Sequence, residues 1–145
     1  MKYISFDIDG VLVDAQDRLR LCINHNGNVD WDCFLDCNKL FMDKPKIRII
    51  KLYNEIRSRG FNIIIVTGRR ESMRNCTLKQ LNTFNIYGFD GLFMRPDDNT
   101  EPDPIYKSWM IKRLMERFNI IAHIDDNLNT VQAISRLGID AVLLS

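Results

Sequence analysis

The stretch Tyr3-Ile4-Ser5-Phe6-Asp7-Ile8-Asp9-Gly10-Val11-Leu12 reads as a buried strand that ends in two aspartates one residue apart. Side chains alternate along a strand, so Asp7 and Asp9 are expected to leave its carboxyl end on the same side. Two carboxylates held that close repel each other, and a divalent cation beside them relieves the repulsion. One can then act as a nucleophile while its neighbour moves protons.

Outward from this run, apolar strands alternate with amphipathic helices. A helix after Pro45 carries Ile49, Leu52, Tyr53 and Ile56 at the spacing of one face and stops at Gly60; Phe61 to Val66 is the next strand. A helix is predicted from Glu71 to Phe84, a strand from Gly91 to Met94, and a helix after Pro104 with Ile111, Leu114, Met115 and Phe118 on its core face. Ile120 to Ile124 is a strand, Asn127 to Leu137 a helix and Ala141 to Leu144 a last strand. Nearly continuous Ile, Val and Phe runs between helices predict an α/β fold: a doubly wound, Rossmann-like parallel sheet of about five strands, buried on both faces. The segment 13–44, polar and turn-rich with a short helix expected from Asp30 to Phe41, is a small insertion after the first strand. In such folds the site lies beyond the carboxyl ends of the strands, where Asp7, Asp9, Thr67, Asp125 and Asp126 all fall.

Taken in chain order, the Asp7–Asp9 run, Ile63-Ile64-Ile65-Val66-Thr67-Gly68-Arg69, the helical Lys107 and Ala122-His123-Ile124-Asp125-Asp126 resemble the four motifs of the haloacid dehalogenase superfamily of phosphotransferases. That resemblance implies Asp7 as the nucleophile that forms an aspartyl-phosphate and Asp9 as the acid and base. It implies magnesium held by Asp7, the backbone carbonyl of Asp9, Asp125 and Asp126, with Thr67 and the Gly68 N–H on the phosphoryl oxygens and Lys107 balancing charge. Asp103, one turn before Lys107, is placed to orient it. Each residue alone has a plainer reading: Thr67 and Asp125-Asp126 suit helix caps, and Lys107 suits a solvated charge. Their occurrence in series carries the argument.

The likeness narrows further. Asp30-Trp31-Asp32 through Asp43-Lys44-Pro45, Thr67-Gly68-Arg69, Leu92-Phe93-Met94-Arg95 and Lys107 through Asp126 resemble the phosphatase domain of phage-type polynucleotide kinase-phosphatases. This implies removal of 3'-phosphates from nucleic-acid ends, a substrate that neither composition nor spacing reveals. Val11 stands where that family more often has threonine, and Asn127 where it often has arginine. Arg69, Arg70, Arg74 and Arg95 are expected on the rim of the site, against phosphates flanking the scissile one. An insertion of this size is too small for a full covering cap, and an open site admits a polymer end. It also discriminates poorly among small esters, which keeps a 5'(3')-nucleotidase or general small-molecule phosphatase as the alternative. A receiver-type signalling domain uses similar residues but puts its acidic pair on the first strand, not the last.

At 145 residues and a net charge of +1 the chain suits one domain, 1–145, and does not suit a strongly basic nucleic-acid coat. No glycine-rich phosphate loop is present, so nucleotide-driven kinase chemistry has no seat. No apolar run is long enough to span a membrane, and a cytoplasmic protein is expected. Cys22, Cys33, Cys37 and Cys76 are read as reduced thiols, with Cys33 and Cys37 sharing an apolar helix face; a zinc site of Cys22, His25, Cys33 and Cys37 is the rejected alternative.

Overall fold

A computed structural model describes residues 1–145. The elements follow in order as β1 (Tyr3–Phe6), β2 (Val13–Asp14), α1 (Gln16–Leu21), α2 (Trp31–Phe34), a 3-10 helix (Cys37–Met42) and β3 (Lys44–Pro45). Then come α3 (Ile47–Ser58), β4 (Asn62–Arg70), a 3-10 turn (Glu71–Met73), α4 (Arg74–Thr83), β5 (Leu92–Arg95), α5 (Asp103–Leu114), β6 (Ile120–Asp125), α6 (Leu128–Ser135) and β7 (Asp140–Leu143).

Five strands form one parallel sheet in the order β5-β4-β1-β6-β7, so the winding reverses at β1. The alternation of β4 sets its two faces: Ile63 and Ile65 join a core with Ile4, Phe6, Ile50, Tyr53 and Leu81, on the side of α3 and α4. Ile64 and Val66 turn the other way, to Tyr3, Ile111, Leu114 and Ile134 on the side of α5 and α6. Both faces are therefore apolar, which is why the strands read as unbroken hydrophobic runs. On α3 the expected Ile49, Tyr53 and Ile56 pack on the core and Ile50 joins them, while Leu52 is exposed. Met115 likewise lies outside the core, with Ile111 and Leu114 buried.

The insertion hangs from a two-stranded antiparallel ladder that pairs Val13 with Pro45 and Asp14 with Lys44. Its expected Asp30–Phe41 helix is broken into α2 and the 3-10 helix. The cause is two competing caps: the Asp30 carboxylate accepts from Cys33 N at 3.2 Å and the Asp36 carboxylate from Asn38 N at 3.0 Å. The reading of reduced thiols is overturned. Cys22 is bonded to Cys33 and Cys37 to Cys76, so neither a shared thiol face nor a Cys22, His25, Cys33, Cys37 metal set exists. The second bond joins the insertion to α4, a pairing across 39 residues that spacing alone does not suggest. No helix is long and apolar enough to cross a membrane.

Candidate active site

The carboxyl ends of β1, β4 and β6 converge on one cleft of about 1000 Å³, lined among others by Asp7, Thr67, Gly68, Asp103 and Asp126. The register sets this up: Phe6 pairs with Ile65 on one side and Ile124 on the other, so the residues that follow leave the sheet together. Asp7 N donates to Ile124 O at 3.1 Å, which keeps the nucleophile candidate beside β6 for one residue more. Gly10 then turns the chain with φ +85°, and a side chain there would collide with the Asp126 carboxylate.

Asp7, Asp125 and Asp126 each offer a carboxylate oxygen, all within 4.8 Å of one another. Asp7 and Asp125 are buried and Asp126 is at the surface. Lys107 Nζ, itself buried, lies 3.0 Å from Asp7 Oδ2, 2.8 Å from Asp125 Oδ2 and 3.4 Å from Asp103 Oδ2, so the orientation expected of Asp103 is present. Burial pushes the Asp7 carboxyl well up, Lys107 pulls it back only in part, and the charge on Asp125 adds to the rise. Asp126 is raised to about 6 by desolvation and by Asp125. Burial would lower Lys107, but the carboxylates of Asp7, Asp125 and Asp103 outweigh it and hold the ammonium charged. Three hard oxygen donors, two of them with raised pKa values, are a donor set suited to a divalent cation such as magnesium.

A support behind Asp125 was not foreseen from the sequence. Ser5 and His123 are register partners on β1 and β6, and Ser5 Oγ lies 2.6 Å from His123 Nδ1. His123 Nε2 lies 2.9 Å from Asp125 Oδ2. Burial lowers the pKa of the imidazole, and a neutral ring satisfies both contacts if Ser5 donates to Nδ1 and Nε2–H donates to Asp125. The signal in the sequence was a polar Ser5 and His123 inside strands otherwise apolar. Asn127, not either aspartate, caps α6: its side chain accepts from Thr130 N at 3.1 Å, while its own N–H donates to Asp125 Oδ1 at 3.1 Å.

Asp9 departs from the expectation that it would point with Asp7. The strand ends at Phe6, and the Asp9 carboxylate stands apart from the acid cluster, between two buried guanidiniums. Arg18 Nη2 donates to Asp9 Oδ1 at 2.6 Å, and Arg69 donates through Nη2 to Oδ1 at 2.8 Å and through Nε to Oδ2 at 3.1 Å. Burial alone would raise its pKa, but Arg69 and Arg18 bring it down to about 2. The repulsion between the two aspartates is thus met by separate partners, lysine for Asp7 and arginines for Asp9. Arg18 is fixed in turn by Asp43, at 3.0 and 2.9 Å, and Gln80 bridges Asp43 and Arg69 at 2.8 and 2.7 Å.

Arg69 and Arg95 are not rim residues. Arg69 is 1% exposed and is spent on Asp9, Thr77 and Gln80. Arg95 donates to Gly68 O at 3.1 Å and Glu101 O at 2.7 Å, pairs with Asp103, and covers the Tyr106 ring at 4.5 Å. Their guanidiniums build the wall of the cleft. Gly68 is required for that close approach, since a Cβ would sit 2.7 Å from Asp103 Oδ1. Thr67 is buried and leaves the regular ladder where β4 breaks register between Val66 and Arg70; its Oγ1 accepts from Arg69 N at 3.1 Å. Arg70 pairs with Asp32 of the insertion at 2.8 Å, and Arg74 pairs with Glu71.

Comparison with known proteins agrees with this geometry. The structure in the Pnkp1/Rnl/Hen1 RNA repair complex superposes with a TM-score of 0.74 at 20% identity, covering 99% of this chain and 42% of that one. A haloacid dehalogenase-like hydrolase from Streptococcus pneumoniae gives 0.68 at 16% identity, over 99% of this chain and 84% of that one. D,D-heptose 1,7-bisphosphate phosphatase from B. bronchiseptica, complexed with magnesium and phosphate, gives 0.60 at 17% identity, over 99% and 80%. These likenesses establish the fold. Among curated sequences, an uncharacterized Arabidopsis thaliana protein is 27% identical over 62 residues, 43% of this chain and 22% of its own length. The chain thus spans less than half of the repair-complex protein and about a fifth of the plant one. The family model described as the polynucleotide kinase PNKP phosphatase domain matches residues 1–143, so the chain belongs to that family, within the haloacid dehalogenase fold.

Proposed function

We propose that this phosphatase domain removes 3'-phosphates from nucleic-acid ends through an aspartyl-phosphate on Asp7. The observation that carries the reading is the convergence of Asp7, Thr67 and Asp126 on one cleft, with Lys107 and Asp125 buried against Asp7, within a chain of the PNKP phosphatase family. Asp7, Asp125 and Asp126 would hold magnesium, which supplies charge neutralisation at the nucleophile and the phosphoryl oxygens. An Asp7 oxygen attacks phosphorus in line, the bond to the 3'-oxygen breaks, and the leaving oxygen takes up a proton. Water then attacks the acyl phosphate, returning Asp7 and releasing inorganic phosphate. Lys107 holds Asp7 and Asp125 in place and offsets their charge. Thr67 and the Gly68 N–H serve the phosphoryl oxygens.

Asp9 is the proton carrier in this scheme, and its surroundings set a condition on that role. It is ionised and held by Arg18 and Arg69, so it must turn from them toward the cleft to accept and deliver a proton. Its side chain is 20% exposed, which leaves it a path.

One observation favours the small-phosphoester reading: Arg69 and Arg95, expected to grip a polymer backbone, are consumed inside the protein. The deciding experiment is phosphate release from a 3'-phosphorylated oligonucleotide compared with nucleoside 3'- and 5'-monophosphates and an aryl phosphate. A large preference in kcat/KM for the oligonucleotide supports end repair; equal or better turnover of the small esters gives the nucleotidase reading the lead. The proposal includes a cytoplasmic site of action, which the two disulfides oppose, since such bonds persist mainly in oxidising compartments.

A further inference from the structure

The cleft is much larger than a phosphoryl group, and its two walls differ in character. The wall made by the sheet is charged and polar; the wall made by the insertion carries an apolar patch of Leu19, Trp31, Phe34 and Leu35 beside Asp14 and Gln16. Trp31 is 56% exposed there, a high exposure for an indole. It is also held firmly. Its ring packs edge-on against Phe34, centroids 5.8 Å apart at 85°, and Phe34 is itself covered by the Arg18 guanidinium at 4.2 Å. Asp30 caps the helix, the Cys22–Cys33 bond anchors it behind, and Asp32 next to Trp31 pairs with Arg70 at the end of β4.

A rigid, solvent-facing aromatic surface in the same cleft as the nucleophile suits a flat, uncharged part of the substrate. The indole offers a π-face and no positive charge, so the group suited to rest on it is a base and not the phosphate backbone. Resting on the nucleic-acid reading above, we propose that Trp31 is a specificity residue: the platform on which the base of the 3'-terminal nucleotide stacks while its phosphate lies at Asp7. Stacking is tolerant of base identity because every base has a π-face, so the domain selects for the presence of a terminal base and not for its sequence.

The test compares 3'-phosphorylated oligonucleotides that carry a terminal base with the same oligonucleotides ending in an abasic sugar, together with an aryl phosphate. Wild type is expected to favour the base-bearing substrate in kcat/KM. Trp31→Ala should lower kcat/KM on it by about 5- to 150-fold, the range for loss of one stacked base, with the loss chiefly in KM. Abasic turnover should stay unchanged, and Trp31→Tyr should restore most of the preference. In a Trp109→Phe, Asp7→Asn background the base-bearing oligonucleotide should quench Trp31 emission more than the abasic one. A wild type that treats the two oligonucleotides alike overturns the inference and leaves 3'-phosphatase action standing. An equal loss on both in Trp31→Ala overturns it too, by making Trp31 a support of the fold. A wild type that hydrolyses the aryl phosphate but neither oligonucleotide overturns the nucleic-acid reading itself.

Discussion

Asp7 and Asp9 have the same charge, lie one residue apart and live in opposite circumstances. Asp7 sits in an acid cluster with one lysine, and its pKa is raised; Asp9 sits between two arginines, and its pKa is lowered to about 2. Asp7→Asn keeps shape and the Ile8 backbone contact while removing the proposed nucleophile, so phosphate release should fall to background with an unchanged circular dichroism spectrum. Turnover near wild type would remove Asp7 from the chemistry. Behind Asp9, the fully buried Asp43 compensates Arg18, with Arg69 at 3.6 Å, and accepts from Gln80. Deleting one partner of a buried ionic network strands the other charges. Asp43→Ala should therefore lower stability by about 3–5 kcal/mol in denaturant titration, with Asp43→Asn losing less because it keeps acceptor capacity. A loss under about 1 kcal/mol would mean that water already reaches Arg18.

At the scale of elements, the parts with a period were legible and the parts without one were not. Every sheet strand and the helices α3 to α6 follow from apolar spacing, with ends displaced where the backbone does something local. β4 runs on to Arg70, past the expected Val66, because its ladder resumes with Arg95 after the irregular Thr67–Arg69 segment that forms the site. The motif residues of the acid cluster were readable because strand ends in a parallel sheet have one destination. Arg18, Asp43 and Gln80 were not, since their meeting depends on how the insertion folds back onto α4. The same fold-back brings Cys37 to Cys76. That bond closes a loop of 39 residues, and breaking it should lower stability by about 2–4 kcal/mol. Thermal unfolding with and without reductant, set beside Cys76→Ser, measures this. Identical curves, with free thiols titrating at four per chain, would return the cysteines to the reduced state.

For the whole molecule, the balance of charge is the deciding quantity. Three carboxylates share one cluster, so activity should vanish in excess chelator, return with magnesium and be inhibited by calcium, whose larger and looser oxygen shell spoils an in-line arrangement. Full activity in chelator would leave Lys107 as the sole counter-charge. Around that acidic centre the protein carries a net charge of only +1, and its cleft arginines are already paired. Lys46, whose Nζ donates to Gly10 O at 3.0 Å and keeps donors to spare, and Arg70, whose partner Asp32 is largely exposed, are the cations left to meet flanking phosphates. Two contacts to a single strand correspond to a slope of about −1.4 in log affinity against log salt. Lys46→Ala and Arg70→Ala should each reduce that slope by about 0.7 while leaving aryl phosphate turnover intact. A slope steeper than about −3 would require Arg69 and Arg95 to leave Asp9 and Asp103 for the nucleic acid, and would make the buried network a state that substrate binding dismantles.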